Sequence, residues 1–296
     1  MKSKNLTRRE FIKAGSMAAA ATLFVNYPQS VLAQQQSKSR VVLIRSKDVL
    51  DKYNRINSAE LQRMLDEAVK TLFETKNAAL AWKKIIKPED VVGIKSNVWR
   101  YLRTPLELES AIKKGIISAG VSEQNISIND QGILRDPVFK KSTALINTRP
   151  MRTHYWAGVG SLIKNYIMFV EKPSDYHPDS CADLASIWFL PHVKGKTRLN
   201  VLVMLTPLFH SVGPHGFNSD YVWQYGGLIV GIDPVACDAV GLKIIEAKRK
   251  VFFGEDKPLD PPAKHIALAD TRHHLGNADM NKIELIKLGS KEGLLI

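Results

Sequence analysis

The sequence predicts an α/β fold, a mostly parallel sheet with helices on both faces. Short apolar runs rich in β-branched residues alternate with longer segments in which apolar residues recur every three or four positions. Such alternation is typical of parallel sheets, because each connecting helix carries the chain back to the edge where the next strand begins. The segment 148–225 is richer in loops, His and Trp, and it could form a cap or subdomain.

Seven apolar runs have the length and the content of Val, Ile and Leu expected of strands. In chain order they are residues 41–44, 91–94, 126–128, 144–146, 199–205, 228–232 and 283–288. The second run follows a turn signal at Pro88 and Asp90. These runs therefore supply the predicted sheet.

Helices are predicted between the strands. Ser58 can cap the first, whose apolar residues have helical spacing: Leu61, Met64, Leu65, Ala68, Val69 and Leu72. Pro105 is placed to open the next helix and Gly120 to close it. The remaining predicted helices are residues 161–170, 180–189, 233–252 and 263–269.

The first 33 residues predict a twin-arginine export signal. Arg8 and Arg9 are followed by Phe11, an aliphatic residue and Lys. Residues 14–25 are apolar but too few to cross a bilayer, which needs about 20 residues. Small residues before Gln34 suit a signal peptidase. We expect the twin-arginine translocase as a partner during export and a periplasmic or extracellular protein; an uncleaved membrane anchor is the alternative.

The rest of the chain divides into a polar leader, residues 34–40, and a single domain, residues 41–296. The whole chain has 42 Lys and Arg against 29 Asp and Glu, and without residues 1–33 the numbers are 37 and 28, a net charge of +9. This balance favours an anionic small molecule as partner, although it could serve solubility alone. No nucleic acid is expected, because no arginine-rich arm or aromatic-basic motif is present. No transmembrane span is expected in the mature chain.

Two cysteines, Cys181 and Cys237, limit the cofactors that the chain can hold. A Cys-ligated iron–sulfur cluster usually takes four thiolates, so none is expected here. We expect both thiols to be unpaired, with a single disulfide as the alternative. The cofactor is unknown; export in the folded state leaves open a metal with other ligands or an organic cofactor.

Polar side chains follow several predicted strands. Lys95 and Asn97 come directly after the second strand, Asp130 closely follows the third, residues 147–149 follow the fourth, and Asp233 follows the sixth. In open parallel sheets, ligands bind outside the carboxyl ends of the strands. The sequence therefore predicts a crevice of amide, ammonium, guanidinium and carboxylate groups at one edge, although loops are often polar for no functional reason.

The stretch 152–165 is the strongest candidate for an anion site. It contains Arg152, His154, Gly158, Gly160, Lys164 and Asn165. We expect the two glycines to let the backbone approach a ligand closely. A helix beginning near Ser161 would direct free N–H groups at an anion. The alternative for His154 is a structural hydrogen bond.

Five of the eight histidines lie in one region of the chain. They are His154, His177, His192, His210 and His215. None forms a metal-binding spacing such as His-Glu-x-x-His, so the sequence predicts no particular metal site. His210 and His215 flank a turn and could meet His154 in space.

Six motifs follow one another along the domain. They are Lys95-Ser96-Asn97; Arg103-Thr104-Pro105; Ile128-Asn129-Asp130; Arg152-Thr153-His154 with Gly158 and Lys164-Asn165; Gly213-Pro214; and Asp233-Pro234-Val235-Ala236-Cys237-Asp238. In this order they resemble the domain-of-unknown-function 362 family, from about residue 40 to about residue 290. The resemblance implies a fold and a site, but no reaction, because the family has no settled activity.

The chain departs from that family in three respects. Many relatives carry ferredoxin-like cysteine clusters, which are missing here, so an iron–sulfur role is not transferred. Ser96 stands where the family usually has Pro, and Arg152 where it usually has Lys. Arg cannot act as a base or form a Schiff base, so position 152 is restricted to ion pairing or anion binding.

Two main functions follow from these residues. In the first, the protein is an exported enzyme in which His154 and Lys164 are catalytic and His154 acts as the acid or base. The predicted binding residues are Lys95, Asn97, Asp130, Arg152, Gly158, Gly160, Asn165, Asp233 and Asp238, and any metal ligands are unknown. The alternative for Asp233 is to cap the helix that begins at Pro234, and the alternative for Asp238 is an acid in the first turn of that helix.

The second function is a non-catalytic protein that binds a ligand or takes part in cofactor or redox maturation. It uses the same basic residues but needs no proton transfer. A surface that binds acidic glycans is a third alternative.

Overall fold

In the described part of the chain, eight strands form one mixed sheet. The computed structural model describes residues 38–211 and 216–296. The predicted signal lies outside them, together with most of the predicted leader and with Gly213, Pro214 and His215. The strands are β1 Ser39–Arg45, β2 Val92–Lys95, β3 Ile126–Asn129, β4 Ala144–His154, β5 Gly158–Gly160, β6 Thr197–Leu208, β7 Gly227–Gly231 and β8 Ile283–Gly289.

The strand order is β3-β2-β4-β6-β7-β1-β8, with β5 paired to β4. The pairs β2–β3, β2–β4, β4–β6 and β1–β8 are parallel. The pairs β6–β7, β1–β7 and β4–β5 are antiparallel. A mostly parallel sheet with helices against it confirms the predicted α/β class.

The helices pack in two layers on the sheet. They are α1 Ser58–Leu72, α2 Ala78–Ile85, α3 Leu106–Ser118, α4 Pro137–Lys141, α5 Leu162–Asn165, α6 Pro178–Cys181, α7 Pro234–Phe253 and α8 Lys264–Thr271. Short 3₁₀ helices cover Glu123–Asn125, Tyr166–Phe169, Pro173–Tyr176, Leu184–Phe189, Ser219–Tyr221 and Met280–Lys282. None of the helices in the described ranges has the length and hydrophobicity needed to cross a membrane.

Each face of the sheet has its own core. On one face, Leu61 of α1 and Trp82 of α2 belong to a buried cluster with Ile94 of β2. On the other, Leu162 of α5 and Val240 of α7 cluster with sheet residues of β1, β4, β6 and β7. Burial of apolar area on both faces is the main driving force for this layered arrangement. The second core lies beneath the segment that positions the candidate site.

The structure differs from the predictions around β4. The strand was predicted as residues 144–146 but continues to His154, and ten of its eleven residues are buried. The polar run 147–149 interrupts its apolar pattern and was interpreted as a strand end. Since β4 and β6 are both strands of the main sheet, much of the segment 148–225 belongs to the central domain.

Two predicted helices are also shorter than expected. Residues 161–170 divide into α5 and the 3₁₀ helix Tyr166–Phe169. Within 180–189, Ser180 and Cys181 have left-handed backbone angles, and a 3₁₀ helix replaces the predicted α-helix. β1 begins at Ser39, two residues before the predicted strand.

Candidate functional site

The carboxyl ends of β2 and β3 bring Lys95 and Asp130 together. Parallel pairing sets Lys95 beside Asn129, so Asp130, one residue further on, reaches its ammonium group. Lys95 Nζ also donates to the carbonyl oxygen of Ser96 at 2.7 Å. Burial lowers the pKa of Lys95 to about 8, with Asp130 opposing the shift. Burial alone would raise the pKa of Asp130, but Lys95 holds it below its usual value, and the two form a buried ion pair.

Asn165, at the end of α5, joins the neighbouring strands. Its Nδ2 donates to the carbonyl oxygens of Lys95 (3.2 Å) and Thr148 (3.1 Å) and to Oδ1 of Asn147 (2.8 Å). Its Oδ1 accepts from Lys95 Nζ at 3.3 Å and from Asn97 Nδ2 at 3.4 Å. These bonds fill the hydrogen-bonding capacity of the amide group. Asn165 therefore fixes the spacing of β2 and β4 around the site.

Arg152 lies behind Asn97. Its Nη1 donates to Oδ1 of Asn97 at 3.0 Å and to the carbonyl oxygen of Leu102 at 3.3 Å. The guanidinium carbon lies 4.4 Å from the centre of the Trp99 ring, within range of a cation–π interaction. Burial, together with the charge of Arg149, holds the pKa of Arg152 well below its usual value. Arg152 thus orients Asn97 and adds positive charge.

Arg149 belongs to the polar run after the fourth predicted strand, but it is not among the predicted binding residues. It lies on β4 and is 4% exposed, yet its guanidinium makes no hydrogen bond or salt bridge with any residue in the described ranges. Its buried Nε has no acceptor. Burial lowers the pKa of the guanidinium to about 10, so Arg149 still carries its charge at neutral pH. A buried charge without a direct partner is costly, which marks this side chain as unusual.

Two carboxylates raise the pKa of Arg149 through their charge, but both accept hydrogen bonds from other groups. Asp130 is paired with Lys95 and accepts the backbone N–H of Val98 at 2.9 Å. Asp238, on α7, accepts from Ser161 Oγ at 2.6 Å and from the backbone N–H of Leu162 at 2.9 Å. Both acids lower the electrostatic cost of the buried guanidinium from a distance, and neither satisfies its N–H groups.

Asp238 also corrects the expectation that the helix near Ser161 offers free N–H groups to a ligand. The backbone N–H groups of Leu162 and Ile163 both donate to its carboxylate, each at 2.9 Å. The protein's own anion thus occupies the start of α5. Burial raises the pKa of Asp238 to about 7, against the effect of these hydrogen bonds.

Gly158 and Gly160 are both packed closely against other atoms of the protein. A Cβ at Gly160 would lie 2.5 Å from Nη2 of Arg149, so its missing side chain makes room for the guanidinium. Gly158 has a φ of +70°, and a Cβ there would lie 2.6 Å from the backbone of Pro261 and Ala263. The close approach that the sequence predicted at Gly160 is therefore to a side chain of the protein.

Asp233 lies at the other edge of the sheet. It follows β7, which runs antiparallel to its neighbours, and its carboxylate accepts from Ser39 Oγ at the start of β1, at 2.6 Å. Its other oxygen accepts the N–H groups of Val235 and Ala236 and caps α7. The structure thus supports the capping role for Asp233 and separates it from the predicted site.

A partly open cavity of about 230 Å³ lies at the carboxyl edge of the sheet, and we name it the basic cavity. Its lining residues are Asn97, Asp130, Arg149, His154, Lys164, Asn165, Ile167, Met168, Pro173 and His177. Five predicted site residues thus meet here, while Lys95 and Arg152 support the wall from behind. Of the other histidines, His192 hydrogen-bonds the carbonyl of Phe169. His210 lines a neighbouring cavity that His154 and Gly158 also line, so His154 and His210 do border a common space.

His154, at the end of β4, lines the basic cavity as a neutral ring. Its Nδ1 accepts the backbone N–H of Trp156 at 3.1 Å, so the neutral imidazole carries its proton on Nε2. Burial, reinforced by the charges of Lys164 and Arg149, holds the pKa of His154 far below its usual value. His154 is therefore a hydrogen-bond donor through Nε2 in the unliganded protein.

Lys164 completes the positive wall of the cavity. It is 3% exposed, and its Nζ lies 3.5 Å from Sγ of Cys181. Burial lowers the pKa of Lys164 to about 8, and Arg149 acts in the same direction. Both cysteines are free, as predicted, and burial raises the pKa of the Cys181 thiol.

The backbone that carries Cys181, the residue in contact with Lys164, is strained. Asp179, Ser180 and Cys181 have consecutive φ values of 52°, 56° and 63°. The left-handed region costs about 1 kcal/mol or more per residue for side chains other than Gly. Such strain persists only where the surroundings fix it, and here it holds the Cys181 thiol against Lys164.

Two larger cavities contain arginines that are already satisfied. The guanidinium of Arg45, in a cavity of about 400 Å³, donates to the carbonyl oxygens of Tyr225 and Glu292. Arg249, in a cavity of about 450 Å³, donates to three carbonyl oxygens and contacts Nδ1 of His210. Only in the basic cavity, among these three, does a buried guanidinium lack an acceptor.

The described residues contain no group of three or more His, Cys, Asp or Glu side chains arranged to hold a metal ion. Comparisons with models of known families, with curated proteins and with solved structures found no match to this chain. The resemblance to the domain-of-unknown-function 362 family stays a prediction.

Proposed function

We propose that the basic cavity binds a small anion, a carboxylate or a phosphate, and that the protein is an enzyme acting on it. The observation that carries this proposal is the buried guanidinium of Arg149, which faces the cavity without an acceptor. An anion would supply the charge-assisted hydrogen bonds that the protein does not provide. The charges of Lys164 and Arg152 favour the same ligand.

The chemistry available to a bound anion comes from two side chains. His154 donates from Nε2, and Lys164 is the group whose pKa, about 8, lies near working pH. A residue with such a pKa can both release and accept a proton during turnover. Lys164 is thus the better candidate for proton transfer, and His154 for orientation of the ligand.

The neutral ring of His154 also favours a second candidate, a non-catalytic ligand carrier. Nδ1 is engaged by Trp156 and Nε2 carries the proton, so no free lone pair is left to act as a base. A carrier needs only the donors and charges of the cavity. Turnover of a bound organic anion would exclude this candidate.

Thermal unfolding with phosphate and with pyruvate at constant ionic strength tests the anion site. Each ligand should raise the melting temperature with a saturable dose dependence, since binding to the folded state stabilises it. Arg149→Met should abolish the shift. Arg63→Met, which removes the same charge from an exposed position on α1, should keep it. Equal shifts in both variants would mean that the anion binds elsewhere.

A further inference from the structure

Lys164 has an unusual environment for a lysine. Its amino group is buried, lines the same cavity as Arg149, and has no salt bridge within the described part of the chain. The contact that it makes is with a thiol, at 3.5 Å. Lysines desolvated beside other cations are activated as nucleophiles, because the neutral amine is favoured.

We propose that the anion in the basic cavity is a small oxo acid, and that Lys164 Nζ condenses with its carbonyl carbon to form a Schiff base. This inference rests on the proposed anion site. Arg149 supplies the carboxylate partner, and Lys164 supplies the amine at the wall of the same cavity. A ligand with a carboxylate and an adjacent carbonyl therefore matches both groups at once.

The step balances without an oxidant or a reductant. The amine lone pair forms the C–N bond while the electrons of the C=O π bond move to oxygen, and a proton passes from this nitrogen to the oxygen to give a neutral carbinolamine. Loss of hydroxide from carbon and of a proton from nitrogen then gives the imine and one water. His154 Nε2 is placed on the cavity wall to donate a hydrogen bond to the oxygen that leaves.

The charges around Lys164 support the neutral amine. Burial is the main cause of its pKa of about 8, and the guanidinium groups of β4 act in the same direction. The other titratable groups that act on it are Cys181 of α6, His154 at the end of β4, His177 before α6 and His265 of α8. Cys181 acts in the opposite direction and favours the ammonium form, but burial outweighs it, and none of these groups is a carboxylate.

Reductive trapping of the full chain with pyruvate and cyanoborohydride tests the proposal. At pH 7.5, peptide mapping should find one carboxyethyl group on Lys164 before exposed lysines such as Lys52 are modified. Lactate, which has the carboxylate but no carbonyl, should give no adduct. Modification spread over the exposed lysines, with Lys164 unmodified, would overturn the proposal.

Lys164→Arg is the matched variant, because it keeps the positive charge but cannot form a Schiff base. It should lose the adduct, while exposed lysines are modified as slowly as in the parent. A parent protein that pyruvate stabilises but that forms no adduct would refute the Schiff base and leave the anion site intact. If pyruvate neither stabilised the parent protein nor formed an adduct, both the anion site and the Schiff base would be refuted.

Discussion

The guanidinium of Arg149 occupies the space that a side chain at Gly160 would fill. Gly160, on the edge strand β5, leaves a space in which a Cβ would lie 2.5 Å from Nη2 of Arg149 and 3.1 Å from its Cζ. The backbone of Gly160 does not need a left-handed angle, so the close approach is the reason that glycine suits the position. The shape of the basic cavity thus depends on one absent methyl group.

Gly160→Ala should move the guanidinium and weaken anion binding by about tenfold, the effect of roughly one displaced charge-assisted hydrogen bond. The fold should survive, because the flexible end of the Arg149 side chain can shift. Calorimetric titration with phosphate measures the change. An unchanged affinity for phosphate would show that the position of the guanidinium does not depend on the space at Gly160.

Arg149→Met should leave the free energy of unfolding unchanged or raise it by about 1 kcal/mol, because a buried charge without a direct partner is replaced by an apolar chain. Arg249→Met should do the opposite and cost about 2 kcal/mol or more, since three carbonyl oxygens would lose their donor. Urea denaturation without anions compares the two. A large loss in the Arg149 variant would mean that its charge stabilises the unliganded fold.

The sequence predicted the layered fold well because its apolar patterns are local. The apolar spacing in α1 and the β-branched runs of β1 and β6 match the buried residues of those elements. The prediction ended β4 too early, because its buried polar residues find hydrogen-bond partners that are remote in sequence. Asn147, for example, donates to Asn200. No local pattern indicates such partners.

The candidate site was predicted only in part for the same reason. Lys95 and Asp130 lie at the carboxyl ends of neighbouring parallel strands, so the positions of the strand ends were enough to predict that they meet. The direction of β7, which separates Asp233 from them, depends on strand order and is invisible in local spacing. The polar run after the fourth predicted strand placed Arg149 at the crevice, but its burial could not be predicted, because it depends on the continuation of β4 to His154.

His154 should remain neutral from pH 5 to pH 8 in the unliganded protein, with its proton on Nε2. Burial and the charges of Lys164 and Arg149 disfavour the imidazolium form. Two-bond ¹⁵N–¹H correlation spectra distinguish this tautomer, and the signal absent from His154→Gln assigns it. Titration with a midpoint near 6.5, or a proton on Nδ1, would contradict the geometry around Trp156.

Asp238 should make stability depend on pH. Burial raises its pKa to about 7, above that of an Asp in the unfolded chain. A carboxyl group raised in this way favours folding fully below pH 4, and its contribution is lost as the pH rises through about 7. Between pH 4.5 and pH 7.5, the free energy of unfolding of the parent should therefore fall relative to that of Asp238→Asn. A constant difference would show that Asp238 is ionised throughout.

The trapping of pyruvate on Lys164 should have its own pH profile. Because burial lowers the pKa of Lys164 to about 8, its amine is neutral in roughly a quarter of molecules at pH 7.5, against about one in a thousand for an ordinary lysine. The initial rate of adduct formation should rise as the pH increases and level off above about pH 8, while labelling of exposed lysines continues to rise. A midpoint that stays near 10.5 in the parent would mean that the cavity does not activate Lys164.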